Sequence, residues 1–352
     1  MELLDIGILL AKIFIVLHVF LIGAAYVVLY ERKLSAWVQK RVGPNRVGWR
    51  GSLQSFADVL KLVKKENIVP KEAHQGFHFL APIITIAIAI ALWCVIPFAG
   101  PFTVAGKMID LTIAPGLDVG ILLLLALSSL GVYGITIAGW SSNNKYSLLG
   151  GLRSAAQMIS YELSMGLSLI GMMLVMGSLN VSEIVVQQSG YWFGFLPKWN
   201  VFVQPIGFLI FLVAAFAETN RAPFDLAEAE PELVGGFHTE YSGLRFGLFF
   251  LGEYGNVILM SALMATLFFG GYNAPWLQDL AFFQQNEVLR AVLQIGAFSF
   301  KTFMLVTVFI WVRWSIPRFR YDQLMNLGWR VMFPIALLNA VATAVVLQAM
   351  RQ

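Results

Sequence analysis

Residues 77–98, FHFLAPIITIAIAIALWCVIPF, decide the fold class of this chain. The 22-residue stretch contains no Asp, Glu, Lys or Arg. As a helix rising about 1.5 Å per residue it reaches about 33 Å, enough to cross a hydrocarbon core of about 30 Å. Its apolar character is continuous rather than alternating, which excludes a strand of a membrane β-barrel. The stretch therefore predicts a transmembrane helix.

Similar apolar segments recur along the whole chain. Including the first, the predicted spans are Ile6–Leu29, Phe77–Phe98, Leu117–Ala138, Ala155–Met176, Val201–Ala217, Phe246–Phe269, Ala291–Val312 and Val331–Leu347. Hydrophobic residues make up 58% of the chain and charged residues 12%, against about 25% charged in ordinary globular proteins. We predict an all-α polytopic integral membrane protein, a bundle of about eight transmembrane helices forming one domain over residues 1–352. The first segment is expected to be a retained span and not a signal peptide.

The basic residues predict the orientation of the bundle. Eight spans place both termini on one side and four connecting loops on the other. These loops, residues 31–76, 139–154, 218–245 and 313–330, contain 18 of the 24 Lys and Arg residues. Since basic loops stay on the cytoplasmic side, we expect them to face the cytoplasm (or mitochondrial matrix) from a bacterial plasma (inner) membrane, with both termini outside. The net charge of +4 is then a topology signal, and nucleic acid is not an expected partner.

The first inner loop predicts a helix lying along the membrane surface. Between Ser52 and Glu66, apolar residues recur at helical spacing and lysines gather at the far end. This segment is either a surface anchor or the rim of an opening for a lipid-like ligand.

The third inner loop is unusually acidic. Six acidic residues lie between positions 218 and 240, interleaved with apolar side chains and with Arg221 as the one Lys or Arg residue. Crowded carboxylates raise one another's pKa values, because like charges disfavour ionisation. The loop suits proton uptake or the binding of basic partner residues, and the alternative is a solvated acidic loop.

Three charged residues inside the predicted spans are functional candidates, since burying a charge in a membrane is costly. Glu162 and Glu253 enter their spans from the inner side, and Lys301 lies near the middle of the seventh span. A ladder of carboxylates that ends near a lysine would suit a proton path. The alternative is a buried Glu–Lys pair that holds helices together.

The sequence offers little for a bound redox group. Cys94 is the single cysteine, and His18 is the only histidine well inside a span. His74 and His78 are spaced for a helical metal site but have no further convergent ligands. Glycine-rich dinucleotide and Walker motifs are absent from the sequence. We therefore expect no catalytic residue, no metal, and no covalently or metal-bound cofactor in this chain.

Several long motifs carry a resemblance to a known family. They are Tyr-Glu-Arg-Lys at 30–33, Arg-Val-Gly-Pro-Asn-Arg-Val-Gly at 41–48, Lys-Tyr-Ser-Leu-Leu-Gly at 145–150, Arg-Ser-Ala-Ala-Gln-Met-Ile-Ser-Tyr-Glu at 153–162, Glu-Thr-Asn-Arg-Ala-Pro-Phe-Asp-Leu at 218–226, Phe-His-Thr-Glu-Tyr-Ser-Gly at 237–243 and Pro-Arg-Phe-Arg-Tyr-Asp-Gln-Leu-Met at 317–325. Over essentially its whole length the chain resembles the quinone-channel membrane subunits of proton-pumping NADH:quinone oxidoreductase, respiratory complex I. Two departures are Trp49-Arg50, where the family often has Pro after the Val-Gly, and Pro231 between two glutamates.

The resemblance implies a function for the inner loops. Members form the entrance of a quinone tunnel and couple quinone reduction to proton translocation. The substrate is ubiquinone or menaquinone, and the partners are small membrane-arm subunits and the peripheral-arm subunits that carry the terminal iron–sulfur cluster. The quinone channel is implied at Arg32, Arg41, Phe56 and Asp58. Proton coupling is implied at Glu31, Glu162, Glu218, Asp225, Glu228, Glu230, Glu232, Glu253, Lys301, Arg313 and Arg318.

Two other classes of protein are weighed against this one. A quinone-independent membrane anchor of a related hydrogenase or dehydrogenase would share the architecture, but would not need the intact loop and surface helix. A stand-alone secondary transporter would usually show repeated halves, and no such repeat is visible in the sequence.

Overall fold

A computed structural model describes residues 3–104, 106–226 and 233–351. The described helices are α1 Leu3–Val38, α2 Gln54–Lys64, α3 Gln75–Ala91, α4 Gly120–Ser141, α5 Lys145–Met176, α6 Val181–Gln187, α7 Asn200–Val203, α8 Pro205–Glu218, α9 Gly243–Phe268, α10 Ala281–Gln285, α11 Glu287–Ser315, α12 Tyr321–Asn326 and α13 Phe333–Arg351. Short 3₁₀ turns cover Trp49–Gly51, Leu92–Val95 and Gly236–His238, and a π-helical segment, Leu327–Met332, joins α12 to α13. Two small antiparallel hairpins pair strand β1 (Phe102–Val104) with β2 (Lys107–Ile109), and β3 (Tyr191–Trp192) with β4 (Leu196–Pro197).

The all-α polytopic prediction is confirmed. Within the described residues, seven helical segments are long and apolar enough to cross a membrane, namely α1, α3 with its 3₁₀ extension, α4, α5, α9, α11 and the continuous α12–α13 unit. The fifth predicted span is shorter than a full crossing, because its helix α8 has only 14 residues. Gln204 is not helical and Pro205 occupies the first turn of α8, where proline is tolerated. This break separates α7 from α8.

When the shorter α8 is counted with the seven long helices, successive helices of the bundle run in opposite directions, so the bundle has two distinct ends. The basic loops all lie at one of them, which we call the basic end. There the Ser141 carbonyl accepts a hydrogen bond from the His74 amide at 2.9 Å, and the Pro223 carbonyl accepts one from Phe319 at 3.3 Å. The first and last described residues lie at the opposite end, where Lys107 and Asp5 form a salt bridge of 2.8 Å.

The most buried helix is α9, and the helices at the two chain ends lie outermost. In the most apolar part of each helix, 67% of the α9 residues are buried, against 11% in α1 and 17% in the α12–α13 unit. Small residues allow the central helices to approach closely, as is common in membrane bundles. A Cβ atom on Gly139 of α4 would lie 2.6 Å from the Ser147 carbonyl oxygen of α5, so only glycine fits there.

The predicted surface helix is present as α2. Its apolar side chains Phe56, Val59, Leu60 and Val63 are exposed, which is consistent with a helix lying in the membrane interface. The Ser55 hydroxyl donates a 2.7 Å hydrogen bond to the Ala25 carbonyl and fixes α2 against α1.

Candidate functional site

A cavity opens at the basic end between α1, α2 and α9. We call it the α2 cavity, and its volume is 290 Å³. Its walls are mainly apolar, with Val28 from α1, Leu62 from α2 and Leu251 from α9. Arg32 and Asp58 line it as a salt bridge of 2.6 Å that joins α1 to α2. An apolar cavity with a few placed polar groups is typical of a site for a small apolar ligand.

Tyr254 is a buried polar residue of this cavity, and it connects the cavity to a carboxylate. Its hydroxyl donates a 2.8 Å hydrogen bond to the Glu31 carboxylate. The other carboxylate oxygen of Glu31 accepts a hydrogen bond from the Arg313 guanidinium. Glu31 and Tyr254 are both almost fully buried, so burial strengthens these contacts and makes an unpaired partner costly.

Arg221 extends the network from Tyr254 toward a second carboxylate. Its guanidinium carbon lies 3.9 Å from the centre of the Tyr254 ring, which is a cation–π distance. A guanidinium nitrogen lies 3.6 Å from a carboxylate oxygen of Glu253, the residue that precedes Tyr254 on α9. Arg221 of the acidic loop is therefore buried against two neighbouring residues, Glu253 and Tyr254, of the sixth predicted span.

Glu253 and Glu218 line a second, internal cavity of about 30 Å³, together with Asn220 and Ser128. A water molecule needs roughly 10–15 Å³ of such space, so the internal cavity has room for about two. Glu218 is 5% exposed, and one of its carboxylate oxygens has no hydrogen-bond partner among the described residues. This oxygen is therefore an acceptor that water in the internal cavity could satisfy.

Two further acidic residues complete the cluster at the basic end. Glu162 of α5 interacts electrostatically with Glu218 and accepts a hydrogen bond from the Ser129 hydroxyl of α4. Asp225 forms a salt bridge of 2.9 Å with Arg318, which ties the acidic loop to the segment before α12.

A neighbouring group of polar residues is separate from this network. The Tyr241 ring stacks on the His78 ring at 3.9 Å, and Arg245 donates a 3.0 Å hydrogen bond to Nδ1 of His78. Burial raises the pKa of Tyr241 to about 12, so its hydroxyl stays protonated at neutral pH. The group packs the loop before α9 against the start of α3.

The structure brings most of the predicted residues together, with three exceptions. Arg41 contacts Gln39 at 2.6 Å and does not line the α2 cavity, and Phe56 packs on the Tyr26 ring at 6.2 Å outside it. Lys301 lies in the middle of α11, and its ammonium donates to the carbonyls of Phe269, Gly271 and Asn273, just after the end of α9, at 2.6–2.9 Å. These partners of Lys301 are main-chain carbonyls, and its role in proton coupling stays a prediction. Glu228, Glu230 and Glu232 lie outside the described residues.

Sequence reasoning missed two residues of the network. Tyr254 received no role, although it directly follows Glu253 within a span. Ser129 is an ordinary small residue of an apolar segment and carries no signal of its own. Both acquire their roles only from residues far away in the chain.

Comparison with known proteins gives matches over nearly the whole chain. A sequence model described as NADH dehydrogenase matches residues 11–344. The chain is 52% identical to an NADH-quinone oxidoreductase subunit of Salinibacter ruber, over 94% of this chain and 93% of the relative. It is 52% identical to NADH-quinone oxidoreductase subunit 8 of Rhodothermus marinus over 94% of each chain. Identity to an NADH-quinone oxidoreductase subunit of Geobacter metallireducens is 48% over 98% of each chain.

Proposed function

Because the chain belongs to the NADH dehydrogenase family, we propose that it is a membrane subunit of a proton-translocating NADH:quinone oxidoreductase. In this role it forms the entrance channel and part of the site for a quinone, ubiquinone or menaquinone. It contains no redox centre and acts together with peripheral-arm subunits that carry the terminal iron–sulfur cluster. The basic end faces those subunits on the cytoplasmic side of the plasma membrane.

One observation carries this proposal: Tyr254 belongs both to the α2 cavity and to the buried acidic network. The cavity lies beside the exposed surface helix, where a long-tailed quinone can enter from the bilayer. From Tyr254 the contacts lead through Arg221 and Glu253 to the internal cavity and Glu218. A ligand in the α2 cavity would therefore lie against the first member of a polar path.

The proposed coupling is electrostatic. Reduction of a quinone generates negative charge and consumes protons, and nearby carboxylates respond because a new charge changes their proton affinity. Glu31, Glu253, Glu218 and Glu162 form the start of this response. Asp225, Arg313 and Arg318 hold its loops in place through salt bridges.

A cavity-filling substitution tests the quinone site. Val59 and Leu60 are neighbours on α2 with exposed side chains, but only Val59 lines the α2 cavity. In the intact complex, Val59→Trp should raise the KM for a long-tailed quinone, while NADH oxidation with an artificial acceptor such as ferricyanide stays unchanged. Leu60→Trp is the matched control and should leave the KM near the wild-type value. Equal KM values for the two variants would contradict the proposal that a quinone binds in the α2 cavity.

A carboxylate substitution tests the coupling separately. Glu218→Gln removes the carboxyl group that can bind and release a proton at the internal cavity, while keeping the shape of the side chain. In proteoliposomes it should lower quinone reduction, proton pumping or both, in a complex that still assembles. Glu183→Gln, in α6 at the opposite end, is the control and should behave like wild type. Wild-type turnover and pumping in Glu218→Gln would exclude Glu218 from the coupling path.

A quinone-independent anchor of a related hydrogenase or dehydrogenase is the second candidate, because it would share the helical bundle. A pull-down from mild-detergent membranes separates the two. Iron–sulfur subunits with inhibitor-sensitive NADH:quinone activity support the proposal, whereas a nickel-containing partner without quinone supports the alternative.

A further inference from the structure

A third cavity, the largest of the three described here, lies on the membrane-facing side of the bundle, apart from the α2 cavity. We call it the α1–α11 groove, and its volume is 420 Å³. Its walls include Val16, Val19 and Phe20 of α1 and Phe298 and Phe303 of α11. The residues that α1 contributes recur every three or four positions between Lys12 and Val27, so the groove follows one face of that helix.

Lys12 is the one charged residue that lines the groove within the described part of the chain, and it lies at the end nearest the chain termini. It is separated from Arg32 by 20 residues of α1, or about 30 Å, which equals the thickness of the hydrocarbon core. With Arg32 at the basic-end boundary, the Lys12 ammonium reaches the opposite boundary, at the level of the lipid headgroups. Basic side chains near helix ends commonly extend to this level.

The Lys12 ammonium retains capacity for a ligand. It has three donors, and its hydrogen bond within the described residues is a long one of 3.4 Å to the Thr112 carbonyl. Among the described residues no carboxylate forms a salt bridge with it. Lys301 differs in this respect, because three carbonyls satisfy its ammonium.

The dimensions of the groove indicate the kind of molecule that occupies it. From Lys12 to Val27 the groove follows about 22 Å of α1, and a volume of 420 Å³ over that length makes it a narrow space. A helix with side chains is about 10–12 Å wide and does not fit such a space. Flexible hydrocarbon chains do fit, since packed carbon atoms lie about 3.5–4.0 Å apart.

We propose that the α1–α11 groove binds one phospholipid molecule, with one of its acyl chains along α1 and its phosphate on Lys12. The apolar walls match the chain, and the ammonium at the boundary matches the negative phosphodiester. A quinone tail would fit the walls equally well but would leave Lys12 without an anionic partner. The bound lipid would fill the space between two helices that pack directly near the basic end, where the hydroxyls of Tyr30 and Thr307 lie 3.0 Å apart.

Site-specific photo-crosslinking in the intact complex tests this site. Benzoylphenylalanine at position 19 places the reactive group on the groove wall, and the same residue at position 341 of α13 places it on an exposed surface away from the groove. After irradiation in membranes, mass spectrometry of the labelled peptides identifies what each position touches. We expect a phospholipid adduct at position 19.

Substitutions at Lys12 supply the discriminating result. Lys12→Gln should lower the phospholipid adduct at position 19 by about tenfold, the effect of losing one charge-assisted hydrogen bond, and leave position 341 unchanged. Lys12→Arg should retain the adduct. A quinone adduct, an adduct with another protein subunit, no adduct at position 19, or equal yields with Lys12→Gln would each overturn the proposal.

Discussion

Tyr254→Phe tests the link between the α2 cavity and the acidic network with the smallest possible change. The substitution removes one hydroxyl and leaves the ring beneath the Arg221 guanidinium. The lost hydrogen bond to Glu31 is 2.8 Å long and joins two buried side chains. Hydrogen bonds to charged groups contribute about 1.5–3 kcal/mol, and a loss of about 1.4 kcal/mol in the rate-limiting step lowers the rate about tenfold.

For Tyr254→Phe we expect a free-energy loss in the lower part of this range, because Arg313 continues to pair with Glu31. The NADH:quinone reductase rate of the intact complex should fall by about tenfold, while electron transfer to ferricyanide stays at the wild-type rate. Proton pumping in proteoliposomes, followed with a pH-sensitive dye, should fall by at least the same factor.

Tyr241→Phe is the matched control for this measurement. Tyr241 is as buried as Tyr254, but its hydroxyl lies 3.4 Å from the nearest bonded hydroxyl, that of Ser141, and outside the network. The same chemical change should therefore alter quinone reduction by less than about twofold. If both variants reduced quinone at the same rate, the Tyr254–Glu31 contact would have no part in the reaction.

Two further substitutions test the architecture. Lys301→Met removes the ammonium that donates to three main-chain carbonyls just after α9. It should lower the free energy of unfolding by at least about 2 kcal/mol, measured as a lower thermal midpoint of the complex. The number of protons pumped per quinone should stay unchanged in complexes that assemble. Loss of pumping in a thermally normal complex would instead give Lys301 a coupling role. Gly150→Ala places a Cβ atom 2.7 Å from the Gly236 backbone and should lower the yield of assembled complex. The Cβ atom added by Gly131→Ala meets no other atom within 4 Å, so this control substitution should be tolerated.

The sequence alone predicts most of the helices, because the length of an apolar segment and the spacing of its apolar residues are local properties. Residues 77–98 and the surface helix α2 both appear where hydropathy and periodicity predict them. The fifth predicted span is not one continuous helix, because Pro205 and the non-helical Gln204 interrupt its apolar run. An average hydropathy over the segment does not detect this interruption.

The contacts of the site could not be predicted in the same way, since they join positions far apart in the chain. Glu31 and Tyr254 are separated by 223 residues, and nothing local to Tyr254 indicates its partner. Lys301 shows the opposite case. Its position in a span predicted a functional charge, but its partners are main-chain carbonyls, which composition does not reveal.

The central claim is that a quinone occupies the α2 cavity, and photoaffinity labelling measures this most directly. A photoreactive quinone with a long tail is irradiated with the intact complex, and the labelled peptides are identified by mass spectrometry. We predict labelling within residues 24–32, 55–62 and 244–254, the segments that contain the lining residues of the cavity, and loss of the label when unmodified quinone competes. Labelling confined to other helices of this chain, or to other subunits alone, would contradict the account.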